Sequence, residues 1–208
     1  MSFYTGTQCE LLYAMPASGG AVTAAAATIM SGTTAANPPF GLPAGFFNPS
    51  PTGDSGKSLL IKGGGWYTVG TTAVTNIIKV GLNTTQNTAS IAVTLGATGA
   101  WTTVASQSNV AFEFELFVTC TAPGKAGTNG SYNSMGHLFV GQANNAANPT
   151  IQSSTLTQAI TGMMIGAPQT AAAFDPTVTQ YVEVSGQWSV TTGSPTQTLT
   201  NFYVFGLN

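Results

Sequence analysis

From residue 58 onward the apolar positions come in short runs rich in β-branched and aromatic side chains, separated by clusters of Gly, Pro, Asn and Thr, with no sustained helical period. This pattern predicts strands at 58–62 continuing past Gly63-Gly64-Gly65 to 69, and at 75–82, 90–95, 101–104, 110–119, 136–142, 155–165, 178–184 and 198–205. Eight or nine short strands fit an all-β fold, a jelly roll or β-sandwich of about eight strands. The clearest alternation runs from Ala111 to Val118, where Phe112, Phe114, Leu116 and Val118 share one face while Glu113 and Glu115 share the other. That strand is expected to have a wet side. In the last strand Phe202 and Val204 alternate with Asn201, Tyr203 and Phe205, so both faces are largely apolar. This fits a central strand or one buried between subunits, and a subunit contact is the preferred expectation. Three consecutive glycines inside a strand predict a bulge or a close backbone approach.

Residues 1–42 have a different texture. The stretch 17–37 is a low-complexity run of Ala, Gly, Ser and Thr, and Pro38-Pro39 follows it. A short helix over 21–30 (AVTAAAATIM) is weakened by two threonines and a Gly-Gly start. The expectation is an extended N-terminal arm over 1–42 and a β-domain over 43–208. Ordering such an arm costs about 1–2 kcal/mol of backbone entropy per residue. Phe3, Tyr4, Leu11, Leu12, Tyr13, Phe46 and Phe47 are the candidate anchors that offset this by burying apolar area against a neighbour.

Composition narrows the classes. The 208 residues include four Lys, no Arg, six acidic residues and one His, so 5% are charged, where roughly 25% is usual. A net charge of −2 without clustered cations argues against nucleic acid as a partner. Every apolar run is interrupted well before the roughly 18 residues a membrane crossing needs, so no membrane association is expected. Eleven Phe, six Tyr and three Trp argue for a packed interior and against a disordered chain. With so little charge to keep it apart from other molecules, much of the surface is expected to be covered in an assembly. The competing reading is a monomer with a Ser/Thr/Asn surface. The first positive side chain is Lys57, so no secretory signal is visible and synthesis in a cytoplasm is expected. Cys9 and Cys120 are too few for a disulfide framework, and two free, mostly buried thiols are expected. Asn83-Thr84-Thr85 and Asn129-Gly130-Ser131 match the glycosylation pattern and are read as turns.

Catalytic chemistry is sparse. The stretch from Gly53 to Ser58 suggests a phosphate loop, yet Pro51 stands where its first glycine belongs, and strand-like Leu59-Leu60-Ile61 follows Lys57. Lys57 and Lys62 are expected to be solvated or paired with partner carboxylates. Glu113 and Glu115, at i and i+2 of one strand, stand about 6.5–7 Å apart, near the range for glycosidase carboxylates. A solvated strand face, or an intersubunit ion pair with Lys79 or Lys125, is the favoured reading; Glu183 and Tyr181 are read the same way. His137, the single His, would have to form any triad with Asp54 or Asp175, and no nucleophile elbow is present. No ligand spacing supports a metal, and no cofactor is expected. Met135, Met163 and Met164 read as gap-filling core or interface residues. Trp66, Trp101 and Trp188 are either core or a sugar-stacking platform, with core favoured.

Three stretches resemble one family. Leu42-Pro43-Ala44-Gly45-Phe46-Phe47, then Gly56-Lys57-Ser58-Leu59-Leu60-Ile61-Lys62, and finally 175–189, opening Asp175-Pro176-Thr177-Val178-Thr179-Gln180 and closing on Trp188-Ser189, together resemble jelly-roll virion proteins of tailed bacteriophages. The opening Phe3-Tyr4-Thr5-Gly6-Thr7-Gln8 is similar to the start of small phage structural proteins. The chain departs from that pattern in lacking Arg and in its long Ala-rich N-terminal segment. The resemblance implies a non-enzymatic capsid decoration, or cement, protein on the virion exterior. Its partners would be the major coat protein and, in a homotrimer, further copies of itself. The alternative it implies is a head or tail fibre that recognises host glycans through loops at 122–133 and 143–150. Further rivals are a carbohydrate-active enzyme using Glu113 and Glu115, and a small jelly-roll coat protein.

Overall fold

The computed structural model describes residues 9–32, 38–47, 58–86, 89–122, 130–141, 163–164, 175 and 177–207, and no helix occurs among them. The strands are β1 (Cys9–Ala14), β2 (Thr28–Ile29), β3 (Phe40–Leu42), β4 (Ser58–Val69), β5 (Thr75–Asn83) and β6 (Val93–Ala97). They continue as β7 (Trp101–Thr102), β8 (Gln107–Ala122), β9 (Ser131–Val140), β10 (Met163–Met164), β11 (Gln180–Trp188) and β12 (Thr196–Leu207). All pairings are antiparallel, and they build a front sheet β1-β12-β4-β8-β9-β10 and a back sheet β2-β11-β5-β6, with β3 on β11 and β7 on β5.

The topology is that of a jelly roll. β2 and β3 both pair with β11 and act as one interrupted strand. Setting aside β7 and the β9–β10 extension leaves eight strands, which run 1-8-3-6 across the front sheet and 2-7-4-5 across the back. This is the double Greek key that jelly rolls use. The strand expected at 155–165 lies outside the described residues except for β10.

The N-terminal segment corrects an expectation. Over its described residues, 1–42 is part of the sandwich, supplying the first two of the eight strands. Met15, Val22, Ile29, Met30 and Leu42 are buried in the core. Val22 and Gln197 exchange backbone hydrogen bonds, the Met30 amide donates to the Val184 carbonyl, and the Trp188 indole donates to the Val22 carbonyl at 3.0 Å. Small residues make this crossing possible. A Cβ on Gly19 would stand 1.9 Å from the Met30 carbonyl oxygen, so the run of small side chains lets the chain lie flat on the sandwich edge.

Between the sheets, β8 contributes Phe112, Phe114, Leu116 and Val118, β12 Phe202 and Val204, β5 Ile78, Val80 and Leu82, and β11 Val182, Val184 and Trp188, all buried. The alternation read from the sequence therefore holds. At the other edge, Tyr132 and Ser134 of β9 donate their hydroxyls to the carbonyls of Thr94 and Leu95 on β6, fastening front sheet to back. Across the middle, the Asn76 side-chain amide donates to Gln197 Oε1 at 2.7 Å.

The three glycines of β4 are explained by what faces them. Gly63 and Gly65 point inward, opposite Phe114 and Phe112. A Cβ on Gly63 would lie 2.5 Å from Phe114 Cζ, so the missing side chain is the space the ring fills. At Gly65 the constraint is backbone: the register shifts between Leu199 and Asn201, placing a bulge at Thr200, and the Thr198 carbonyl oxygen would sit 1.9 Å from a Gly65 Cβ. Both the bulge and the close approach occur, and the bulge belongs to the partner strand.

Tyr67 lies in this core, its ring edge-on to Trp101 and Trp188 with centroids 5.4 and 6.3 Å away, and its hydroxyl donating to Gln107 Oε1 at 3.0 Å. Burial pushes its phenol up to about 12, and pushes those of Tyr13 and Tyr132 up as well. In the unfolded chain a tyrosine loses its proton near 10. Between these values the native state holds the extra proton, so the stabilisation is complete below about pH 10 and is lost as pH rises toward about 12. Tyr67→Phe is expected to cost about 1 kcal/mol at neutral pH through the lost hydrogen bond. It should also flatten the alkaline fall of the urea midpoint relative to wild type; an unchanged alkaline slope would contradict the assignment.

Candidate functional site

The solvent face of the front sheet holds most of the side chains with potential chemistry. Lys62, Gly64 and Trp66 of β4 point outward, as do Glu113, Glu115 and Phe117 of β8, since the alternate residues of each strand are committed to the core. Strand register then decides who meets whom.

Three rows cross this face. The first is apolar and continuous over five strands: Leu11 of β1 faces Phe205 of β12, which faces Leu60 of β4, then Phe117 of β8 and Met135 of β9. At strand spacing this row is about 19 Å long. Leu11, Phe117 and Met135 are 52%, 42% and 62% exposed. The next row is polar, running Ala14, Tyr203, Lys62, Glu115, His137. Lys62 Nζ and Glu115 Oε2 form an ion pair at 2.5 Å. The third row runs Asn201, Gly64, Glu113, Phe139.

Where the second and third rows meet Trp66 the surface dips into an open groove of about 420 Å³. It is lined by Gly63–Gly65 together with Trp66, Glu113, Glu115, His137, Asn201 and Tyr203. Trp66 is 49% exposed. The His137 ring packs edge-on to Phe139 at 4.4 Å.

The candidates from the sequence separate sharply. Glu113 and Glu115 do share a wet face, but Glu115 pairs with Lys62 of its own chain rather than with Lys79 or Lys125. Glu183 is buried, and the Asn83 side-chain amide donates to its carboxylate. Of the tryptophans, Trp188 is buried in the core, Trp101 lies half-buried against the core with its ring on Tyr67, and Trp66 alone stands on the surface. Cys120 is buried but Cys9 is exposed, and both are free thiols. Asp175 caps a turn, accepting from the Thr177 amide and hydroxyl at 2.8 and 2.6 Å.

The proposed anchors behave unlike an arm. Phe3 and Tyr4 lie outside the described residues, as do Asp54, Lys57, Lys125 and the greater part of the two loops considered for glycan contact. Tyr13 stacks on Phe40 at 5.2 Å and donates its hydroxyl to the Pro38 carbonyl, and Leu12 packs beside Gly206. Phe46 and Phe47 pack on each other at 5.1 Å, Phe47 being buried in the core. Among these described residues, Leu11 alone stands well exposed.

The sequence reading missed the groove itself. Asn201, Gly64 and Glu113 are brought together by the pairing of three strands far apart in the chain. The available signal was Trp66 two residues after Gly64, an exposed aromatic beside a position without a side chain. Compared with models of known protein families the chain matches none, and no curated protein sequence matches it.

Proposed function

We propose that this chain is a bacteriophage capsid decoration protein, a non-enzymatic cement that adheres to the outer surface of the coat lattice. The observation that supports this is the apolar row of Leu11, Phe205, Leu60, Phe117 and Met135 on the water side of the front sheet. An antiparallel sheet with one solvated face alternates apolar-in with polar-out. Here an entire row breaks that rule across five strands, and exposed apolar surface of this kind marks contact with another protein.

Two further features agree with it. A surface this poor in charge has little to hold it apart from neighbours. The double Greek key is shared by many viral capsid domains, a fold-level analogy that adds weight without specifying the partner. The contact face moves to the front sheet, because Leu12, Tyr13, Phe46 and Phe47 are engaged within the chain, while the exposed Leu11 belongs to the apolar row itself. Each contact can be modest, since many copies on one lattice reinforce the shell together. The partners are the major coat protein and further copies of this chain in a trimer. Synthesis takes place in the host cytoplasm and the final location is the particle exterior.

Quantitative mass spectrometry of purified particles tests this directly. Decoration predicts copies per coat subunit of one or a simple fraction, whereas a few tens of copies or fewer per particle would favour the fibre reading. The double variant Phe117→Glu with Met135→Glu is expected to melt like wild type and to lose at least tenfold in particle association. Undiminished association would remove the front sheet as the contact face.

A further inference from the structure

We infer that the groove over Gly63–Gly65 is a binding site for a neutral oligosaccharide. It is separate from the decoration reading, because its centre at Gly64 and Trp66 lies off the apolar row, with the row of Tyr203, Lys62, Glu115 and His137 between them. Along β4 the two are separated by the step from Leu60 to Gly64, about 13 Å.

The argument begins with what is absent from the floor. Gly64 is the outward-facing position between Lys62 and Trp66 on a central strand of the front sheet, and with no side chain of its own it leaves a dip between those two residues. A Cβ there would stand 2.9 Å from the Phe112 carbonyl oxygen and 3.2 Å from Asn201 Oδ1, so the space a side chain would need at Gly64 is already taken by the neighbouring strands and only glycine fits.

The rim supplies the two kinds of contact a sugar ring requires. Trp66 offers a broad apolar face, and Tyr203, at 38% exposure, offers a second aromatic surface on the far side of Lys62. The C–H face of a pyranose packs on such rings. Asn201 and Glu113 flank Gly64 in register and present an amide and a carboxylate to ring hydroxyls, with His137 alongside. A volume of about 420 Å³ with a few convergent polar groups falls in the range of small-ligand sites.

Charge selects the class of sugar. Lys62, the cation of the groove, is already neutralised by Glu115, whereas Glu113 has no ion-pair partner among the described residues. The site therefore carries a net negative charge and disfavours sialylated, sulfated or phosphorylated glycans. Neutral hexose and N-acetylhexosamine chains remain.

The test is a glycan array followed by titration of cellohexaose and chitohexaose into the full-length protein. Wild type is expected to bind neutral chains in preference to anionic ones. Trp66→Ala and Glu113→Gln should each weaken binding at least tenfold with melting temperatures unchanged, while the Phe117→Glu/Met135→Glu variant binds as wild type. Absence of neutral-glycan binding at millimolar concentration, a preference for anionic glycans, or wild-type affinity in either groove variant would overturn the inference. None of these outcomes alters the copy number on particles, so the two proposals fail separately.

Discussion

Removal of residues 1–32 is expected to abolish folding, not merely to release an appendage. The truncation deletes β1, an edge strand of the front sheet, and β2, which pairs with β11 on the back sheet. It also strips Met15, Val22, Ile29 and Met30 from the core. Four such side chains are worth together about 6–12 kcal/mol of burial. That matches the 5–15 kcal/mol total stability of an ordinary domain. The damage spreads further, because Trp188 loses the Val22 carbonyl that accepts from its indole, and Gln197 loses its backbone partner. Circular dichroism and urea titration of the truncated chain check this. A cooperative unfolding transition near the wild-type midpoint would show that the first strands are dispensable.

Substitution of Gly65 by alanine carries the second large effect, an expected loss of about 3 kcal/mol or more. For a chain of this length that is a drop of roughly 6–12 °C in melting temperature. The reason is the identity of the obstructing atom. A Cβ at Gly65 meets the Thr198 carbonyl oxygen at 1.9 Å and Leu199 Cα at 3.0 Å, both backbone of the strand it must pair with. Relief requires β12 to move, and β12 is held by β4 on one side and on the other by β1 over Tyr203–Leu207 and by backbone hydrogen bonds from Met15, Gly19 and Val22 to Phe202, Leu199 and Gln197. Gly63→Ala is the control, since its Cβ meets the tip of the Phe114 ring, which can swing aside at lower cost. Equal destabilisation at the two positions would argue against the bulge as the cause.

These two predictions rest on features of unequal legibility. Alternation in 111–118 shows its packed and wet faces directly, because a strand places successive side chains on opposite sides whatever its neighbours are. Gly63-Gly64-Gly65 announces a close approach for a similar reason, as a strand tolerates three missing side chains only where something else fills the space. The first strands were hidden. Met15, Val22 and Ile29 are spaced too widely for a periodic signal, and the Ala, Gly, Ser and Thr between them look like a linker. Those same small residues are what allow the segment to cross the sandwich edge.

The groove shows the division most clearly. That Glu113 and Glu115 share a solvent face was readable, yet their fates differ because register places Lys62 opposite one and Gly64 opposite the other. Register across β12, β4, β8 and β9 likewise assembles the apolar row from Leu11, Phe205, Leu60, Phe117 and Met135, five residues that no local pattern connects. By itself the amino-acid sequence determined the all-β class, the inward and outward residues of the longest strands, and a surface with little charge, since each follows from local periodicity and composition. Tertiary structure alone decided that the N-terminal segment is part of the jelly roll, and which outward residues stand side by side, because strand pairing joins positions far apart in the chain and a shift of one residue would reverse every face.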